Sequence, residues 1–304
     1  MRILMQTSLV DADNLLVENM TYHHVRKADI TVLIGKDSLD LLHSVTTQNV
    51  SDLDEYSCVF ASILQSNGRM IDRILIMNLV DQIALIHLDG CAQTSRTLLS
   101  KSVSWKQEVR IIPLDEGFSS IWMYGVPESD NLWTIDVDEQ IYSSQILNLN
   151  RQIVVHLGPD VEIDKMESKL IANGSIMYTD ESIRLDAIEN GMIGGKIIRE
   201  FEPIPLEVGL ESDISFTKGC YTGQEIIARM DAREALARTL VTISSDSLLD
   251  VGNHKIVGGG KLVVFDSVAD SLQYTSLGLI HPDFAESGNE FNLDEINCTV
   301  VTKW

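Results

Sequence analysis

The chain has 304 residues, 44% of them hydrophobic, and carries 23 Lys+Arg against 45 Asp+Glu for a formal net charge of −22. Such a composition excludes a disordered or fibrous chain, and the length suits about two domains with a sizeable core. The acidity repels phosphate backbones and anionic lipid, which opposes nucleic-acid or membrane-surface binding by the surface as a whole.

At the amino terminus Asp11, Asp13 and Glu18 follow Arg2 before any cleavable apolar core forms, so the start reads as that of an unprocessed cytoplasmic protein. Asp29 to Ile34 is an apolar, strand-like run ending at Gly35, and Asp37 to Val45 spaces Leu39, Leu41, Leu42 and Val45 as a short amphipathic helix. Cys58 to Leu64 and Arg73 to Val80 are β-rich runs separated by Gln65-Ser66-Asn67-Gly68, a strong hairpin signal. The second run stops at Asp81, far short of the ~18 apolar residues that a membrane-spanning helix needs. Ile83 to Leu88 adds a strand and Ala92 to Val103 a helix; strands recur at Val109 to Ile112, Ser119 to Tyr124 and Gln152 to Leu157, before a helix around Val161 to Ala172. Hairpins mixed with helices predict an α+β fold. Beyond about residue 235, five short β-branched runs (Leu240 to Ile243, Lys255 to Val257, Lys261 to Phe265, Leu277 to Ile280 and Cys298 to Thr302) predict a small β-barrel or sandwich. Residues 1–234 and 235–304 are the expected domains.

Several familiar motifs fail. Gly258-Gly259-Gly260-Lys261 lacks the spacing and the following Ser or Thr of a phosphate loop, and reads as a turn. His23-His24 has no partner at ligand spacing, so a surface position is expected. The four cysteines, Cys58, Cys91, Cys220 and Cys298, form no Cys-x-x-Cys pair, which leaves a resident zinc or iron–sulfur site unsupported and reduced, buried thiols as the default.

The informative stretch runs from Phe216 to Met230. Thr222 and Glu225 stand in capping-box relation and Ile226, Ile227 and Met230 form an apolar face, so a helix should begin near Gly223. Cys220 then lies just before a helix N-terminus, where the positive dipole end and Lys218 would favour thiolate. The plainer alternative, a capped helix with a buried cysteine, weighs about as much on these grounds.

Lys218-Gly219-Cys220-Tyr221-x-Gly223-Gln224-Glu225 resembles the signature of the folate-binding YgfZ/IBA57-type proteins, relatives of the glycine-cleavage aminomethyltransferase, or T-protein. Further landmarks fall in the family's order: Ile34-Gly35-Lys36-Asp37 with Leu41-Leu42-His43, Thr47-Gln48-Asn49-Val50, Gly68-Arg69-Met70-Ile71-Asp72, Arg184-Leu185-Asp186-Ala187, and Pro205 to Leu210. The resemblance implies two intertwined α+β subdomains around a central folate pocket, followed by a small C-terminal β-barrel. It implies tetrahydrofolate as ligand, and iron–sulfur cluster carrier or client proteins as partners. Cys220 would be the functional thiol and Asp72, at the position resembling the transferase's catalytic aspartate, would meet the pterin or handle a proton near N5 or N10. Asp72, Arg184, Lys218, Tyr221, Gln224, Glu225 and Arg229 are the implied folate-binding residues.

The charge pattern agrees with an anionic ligand, since residues 218–238 hold Lys218, Arg229, Arg233 and Arg238 against Glu225, Asp231 and Glu234. For Arg184 the competing role is a salt bridge to Asp186 or Glu189. The resemblance implies a role in supporting iron–sulfur cluster assembly or repair in other proteins, with two alternatives open: a folate-dependent aminomethyltransferase or demethylase using Asp72, and a non-enzymatic scaffold that docks a cluster carrier. Against the first, the glycine of the family's Arg-x-Glu-x-Gly pattern is replaced by Ile188, Gln48-Asn49 stands for the usual Asn/Gln-Asp pair, and residues 151–180 lack the Gly-Tyr-rich segment by which the transferases hold the pterin.

Overall fold

The computed structural model describes residues 20–27, 29–233, 236–269 and 273–304. The acidic segment before residue 20, the side chain of Arg233, Glu234 and the expected domain boundary at 234/235 lie outside the described residues. Contacts divide the chain into two units, one built on Asp115–Thr179 with the described residues before Asp29, the other on Asp29–Leu114 and Asp180–Trp304. Elements are numbered in chain order.

The first unit is a six-stranded sheet of β1 (Tyr22–Lys27), β7 (Phe118–Tyr124), β8 (Ile135–Asp138), β9 (Ile141–Asn148), β10 (Arg151–Pro159) and β11 (Ile176–Met177), in the order β11-β1-β7-β10-β9-β8. All pairs are antiparallel except β1 with β11. Helix α3 (Asp160–Ala172) packs on β7 and β10. β1, β8 and β9 escaped the sequence reading because their segments carry His, Asp, Ser or Tyr where an apolar alternation would be sought. The His pair is a correction: His23 is fully buried, its Nδ1 2.9 Å from the Ser175 hydroxyl, because β1 is an interior strand of this sheet.

The second unit opens with a five-stranded antiparallel sheet, order β3-β4-β5-β2-β6, of β2 (Ile30–Ile34), β3 (Ser57–Leu64), β4 (Met70–Asn78), β5 (Ile83–Ile86) and β6 (Arg110–Leu114). Helices α1 (Ser38–Val45) and α2 (Ala92–Ser102) supply Leu41, Leu42 and Leu99 to a core shared with Leu33, Ile74, Ile76 and Leu85. The Gln65–Gly68 turn joins β3 to β4 as expected. β4 is buried at all but one of its positions, which explains why its sequence is a continuous apolar run rather than an alternation.

The chain then forms α4 (Asp180–Glu189), α5 (Gly195–Phe201) and α6 (Gln224–Arg233), the first two unforeseen because their hydrophobic faces are weak or short. Six strands follow: β12 (Thr239–Ser245), β13 (Gly252–Lys255), β14 (Lys261–Ala269), β15 (Tyr274–Ile280), β16 (Glu290–Leu293) and β17 (Ile296–Lys303), ordered β13-β14-β15-β12-β17-β16. This sheet curls around Val241, Ile243, Leu262, Val264, Phe291 and Val300 as a half-barrel. The Val257 amide donates to the Asn292 carbonyl at 2.9 Å, linking the two edge regions where a full ladder would close a barrel. Of the expected strand Lys255–Val257, only Lys255 is in a strand, as the end of β13; Val257 enters the turn in which Gly258, Gly259 and Gly260 all have positive φ, as a glycine turn requires. By contact the half-barrel belongs to the same unit as residues 29–114. Among the described residues no helix is long and apolar enough to cross a membrane.

Candidate functional site

The signature segment is shaped by two buried anchors. Lys218 is 9% exposed, and its ammonium donates to the carbonyls of His43, Thr46 and Gln48 at 2.5, 2.7 and 2.9 Å. His43 lies in the last turn of α1 and Thr46 is its C-cap, so their carbonyls are ones the helix leaves unpaired at its negative dipole end, and Gln48 lies just beyond. All three ammonium hydrogens are thus used, and burial still pulls the Lys218 pKa down to about 8. Tyr221 is 8% exposed, its ring 5.1 Å from the Lys218 nitrogen, and burial pushes its phenol up to about 12. With both anchors turned inward, Gly219 and Cys220 between them face solvent. Lys218 therefore shapes the loop, rather than standing free beside the thiol as the sequence suggested.

The other end of the loop is locked by glycine contact. Gly223, at φ +85°, lies so close to the β3–β4 turn that a Cβ there would stand 2.7 Å from the Gln65 oxygen, and one on Gly68 would stand 2.9 Å from the Ile226 side chain. Gly223→Ala therefore combines a disfavoured backbone conformation with a backbone clash, and is expected to cost about 2 kcal/mol or more in urea denaturation. A loss within the ~0.5 kcal/mol typical of neutral surface changes would show that the loop does not depend on this contact.

Asp72 is buried and saturated. It is 0% exposed; Oδ2 accepts from His87 Nδ1–H at 2.6 Å and the Ser95 hydroxyl at 2.7 Å, and Oδ1 accepts from the Leu88 amide at 3.2 Å. The chain of bonds continues through His87 Nε2 and the Thr31 oxygen, 2.7 Å apart, to Arg96 Nε–H, which donates to Thr31 at 2.8 Å. His87, Ser95, Thr31 and Arg96 were not anticipated: they come from β5, α2 and β2, and nothing local announces the convergence. Asp72 is enclosed because β4 is an interior strand of its sheet, flanked by β3 and β5.

The remaining candidates disperse. Arg184 on α4 holds Asp266 on β14 with two bonds of 3.0 and 2.5 Å, not Asp186 or Glu189. Arg229 and Glu225 form an exposed i,i+4 pair at 3.1 Å on α6, and Gln224 is half-buried at its start. Near the thiol loop, one further group matters. The His43 ring nitrogen Nε2 would be 3.9 Å from a Cβ on Gly219, its Nδ1 is buried with no hydrogen-bond partner, and burial followed by the Lys218 charge lowers its pKa. Its signal was the Leu41-Leu42-His43 landmark, which carried no assigned role. Among the described residues no group of three or more His, Cys, Asp or Glu side chains is placed to hold a metal ion.

The tetrahydrofolate fit can be judged on these contacts. Asp72, Arg184 and Lys218 spend their polar groups on the protein itself, so these three do not present a folate cradle. Of the nominated groups on α6, Glu225 and Arg229 are exposed and Gln224 half-buried; Arg229 is the one whose charge suits an anionic ligand.

The architecture is that of the glycine-cleavage aminomethyltransferases. The crystal structure of aminomethyltransferase T from Bartonella henselae matches with a TM-score of 0.74 over 94% of this chain and 87% of that one, at 13% identity. No protein-family model matches the chain. In sequence it is similar to the mitochondrial iron–sulfur cluster assembly factor IBA57 homologue of Aspergillus clavatus, 23% identical over 256 residues that make up 73% of this chain. The match spans only 56% of that relative's length. It is also similar to the tRNA-modifying protein YgfZ of Blochmanniella pennsylvanica, 25% identical over 247 residues, 74% of this chain and 72% of the relative. In sequence the chain is thus similar to proteins named IBA57 and YgfZ, and in fold to aminomethyltransferase T.

Proposed function

We propose that this protein supports iron–sulfur cluster assembly or repair in other proteins through the Cys220 thiol, with a reduced folate as ligand. The observation that carries the reading is the contrast among cysteines: Cys220 is exposed on a loop built to display it, while Cys58, Cys91 and Cys298 are buried. A single accessible cysteine suits transient ligation of an iron in a cluster held chiefly by a partner, since a resident cluster ordinarily needs about four protein ligands. The cluster is cargo in this scheme. The named role of the Aspergillus relative, cluster assembly, supports the direction.

Tetrahydrofolate, when bound, would supply a one-carbon carrier. Gln224 and Arg229 are proposed to contact it, Arg229 meeting its carboxylate tail, with Tyr221, Glu225 and Arg184 acting through the surfaces they order. Lys218 positions the thiol loop, and Asp72 positions the β4–α2 junction through His87 and Ser95. Closure of the Asp72 carboxylate by protein donors disfavours aminomethyl transfer at that residue. The partners are a cluster carrier or client proteins. We place the protein in the cytoplasm, from its reduced-thiol chemistry.

In cells lacking the gene, cluster-dependent enzymes are expected to lose activity under oxidative growth. The wild-type gene should restore them and Cys220→Ala should not, while glycine cleavage continues throughout. Titration calorimetry should show saturable binding of a reduced folate that weakens with Arg229→Ala. Full rescue by Cys220→Ala, or loss of glycine cleavage with every cluster enzyme spared, would overturn the reading.

A further inference from the structure

We propose that the outer face of α2 and the loop that follows it form a docking surface for an acidic segment of a partner protein, with Trp105 as the anchor. Trp105 is 89% exposed, the most exposed of the large hydrophobic side chains on the described surface. A tryptophan left in water is costly, and this residue type is enriched at the centres of protein interfaces. The Lys106 ammonium sits 5.1 Å from its ring centroid. On either side of α2 lies a groove: one of about 430 Å3 reaches Ile71 and Leu98, the other of about 390 Å3 reaches Ile111 and Pro113, and Gln93, Thr97 and Lys101 line both. The second groove runs along β6, an edge strand of its sheet.

The charge is what selects the occupant. Residues 93–113 carry Arg96, Lys101, Lys106 and Arg110 against Glu108 alone, inside a chain of net charge −22. Arg96 is buried, and the exposed Glu108 is already paired with Lys36 at 2.7 Å, so Lys101, Lys106 and Arg110 are the exposed cations of this stretch that Glu108 does not offset. Screening over about 8 Å lets such an island act against the global field at contact range. A polyphosphate chain would have to approach through that negative field. A second copy of this chain docking by the same face would set these cations against their own counterparts, because a two-fold interface pairs a patch with itself. An acidic protein segment crosses the same field with fewer charges per unit length than a polyphosphate, and it brings apolar side chains for Trp105 and the two grooves.

The surface is remote in sequence from Cys220 and its assignment does not use the thiol, so the two proposals fail separately. A photoreactive benzoylphenylalanine placed at Trp105 in the full chain, in living cells, should crosslink a protein through a net-negative segment. Lys101→Glu with Lys106→Glu should abolish that crosslink, and Cys220→Ala should leave it intact. With the crosslinked protein purified, the charge-reversed chain should bind about tenfold or more weakly, and wild-type binding should weaken as salt rises. Crosslinks to another copy of this chain or to nucleic acid, or no more crosslinking than from the exposed Val161, would overturn the proposal.

Discussion

Alkylation of the native protein near neutral pH is expected to modify Cys220 first, ahead of the other thiols by about two orders of magnitude or more. The contrast rests on the competitors as much as on the exposed loop. Burial and the nearby Asp72 push Cys91 from an ordinary 9.0 to about 12, and burial with Asp246 pushes Cys298 to about 11. Those shifts alone cut the reactive thiolate about a thousandfold and a hundredfold. Cys58 is 2% exposed in β3. Peptide mass spectrometry over a time course reads the order directly, and in denaturant the four should react alike. If Cys58, Cys91 or Cys298 reacted faster than Cys220 in the folded protein, the assignment of the thiol would fail.

The largest loss of stability is expected from Asp72→Ala. Removing the carboxylate strands the His87 Nδ1–H, the Ser95 hydroxyl and the Leu88 amide, all of which it accepts. It also deprives a buried network ending in Arg96 of its anion. Leaving a buried donor unsatisfied costs about 1–3 kcal/mol per group, so with three donors stranded urea denaturation should show a loss of about 3 kcal/mol or more. Asp72→Asn keeps an acceptor for the Leu88 amide but turns a donor toward His87 and Ser95, so it should be only partly better tolerated. A loss under about 1 kcal/mol for Asp72→Ala would mean that the network does not hold the β4–α2 junction.

What could be read from the residues alone follows from whether the determinants are local. The β3–β4 hairpin was legible because Asn67-Gly68 carries its own turn chemistry, and α6 because its cap and apolar face lie within a few residues. α4 has a weak apolar face and is held by Arg184 reaching Asp266, 82 positions away, so its one informative residue suggested a local ion pair instead. The thiol signature was legible as a pattern of residue types. Its geometry was not, because Lys218 looks like any surface lysine until the end of α1 is placed around it. The surroundings of Asp72 were not legible for the same reason: its donors come from just beyond β5 and from α2, and nothing beside it in sequence announces them.

The Lys218 clamp bears on how the molecule comes into being. Its three acceptors lie 170 to 175 positions earlier in the chain. During synthesis the end of α1 emerges long before the lysine that completes it, and its carbonyls have only water until then. Contacts of such separation form late, because the entropy of closing a long loop must be met before they return any stability. The display of Cys220 between its two anchors therefore reports that the surrounding unit has already folded, and a chain stalled or cleaved before residue 218 offers no competing thiol loop to its partners.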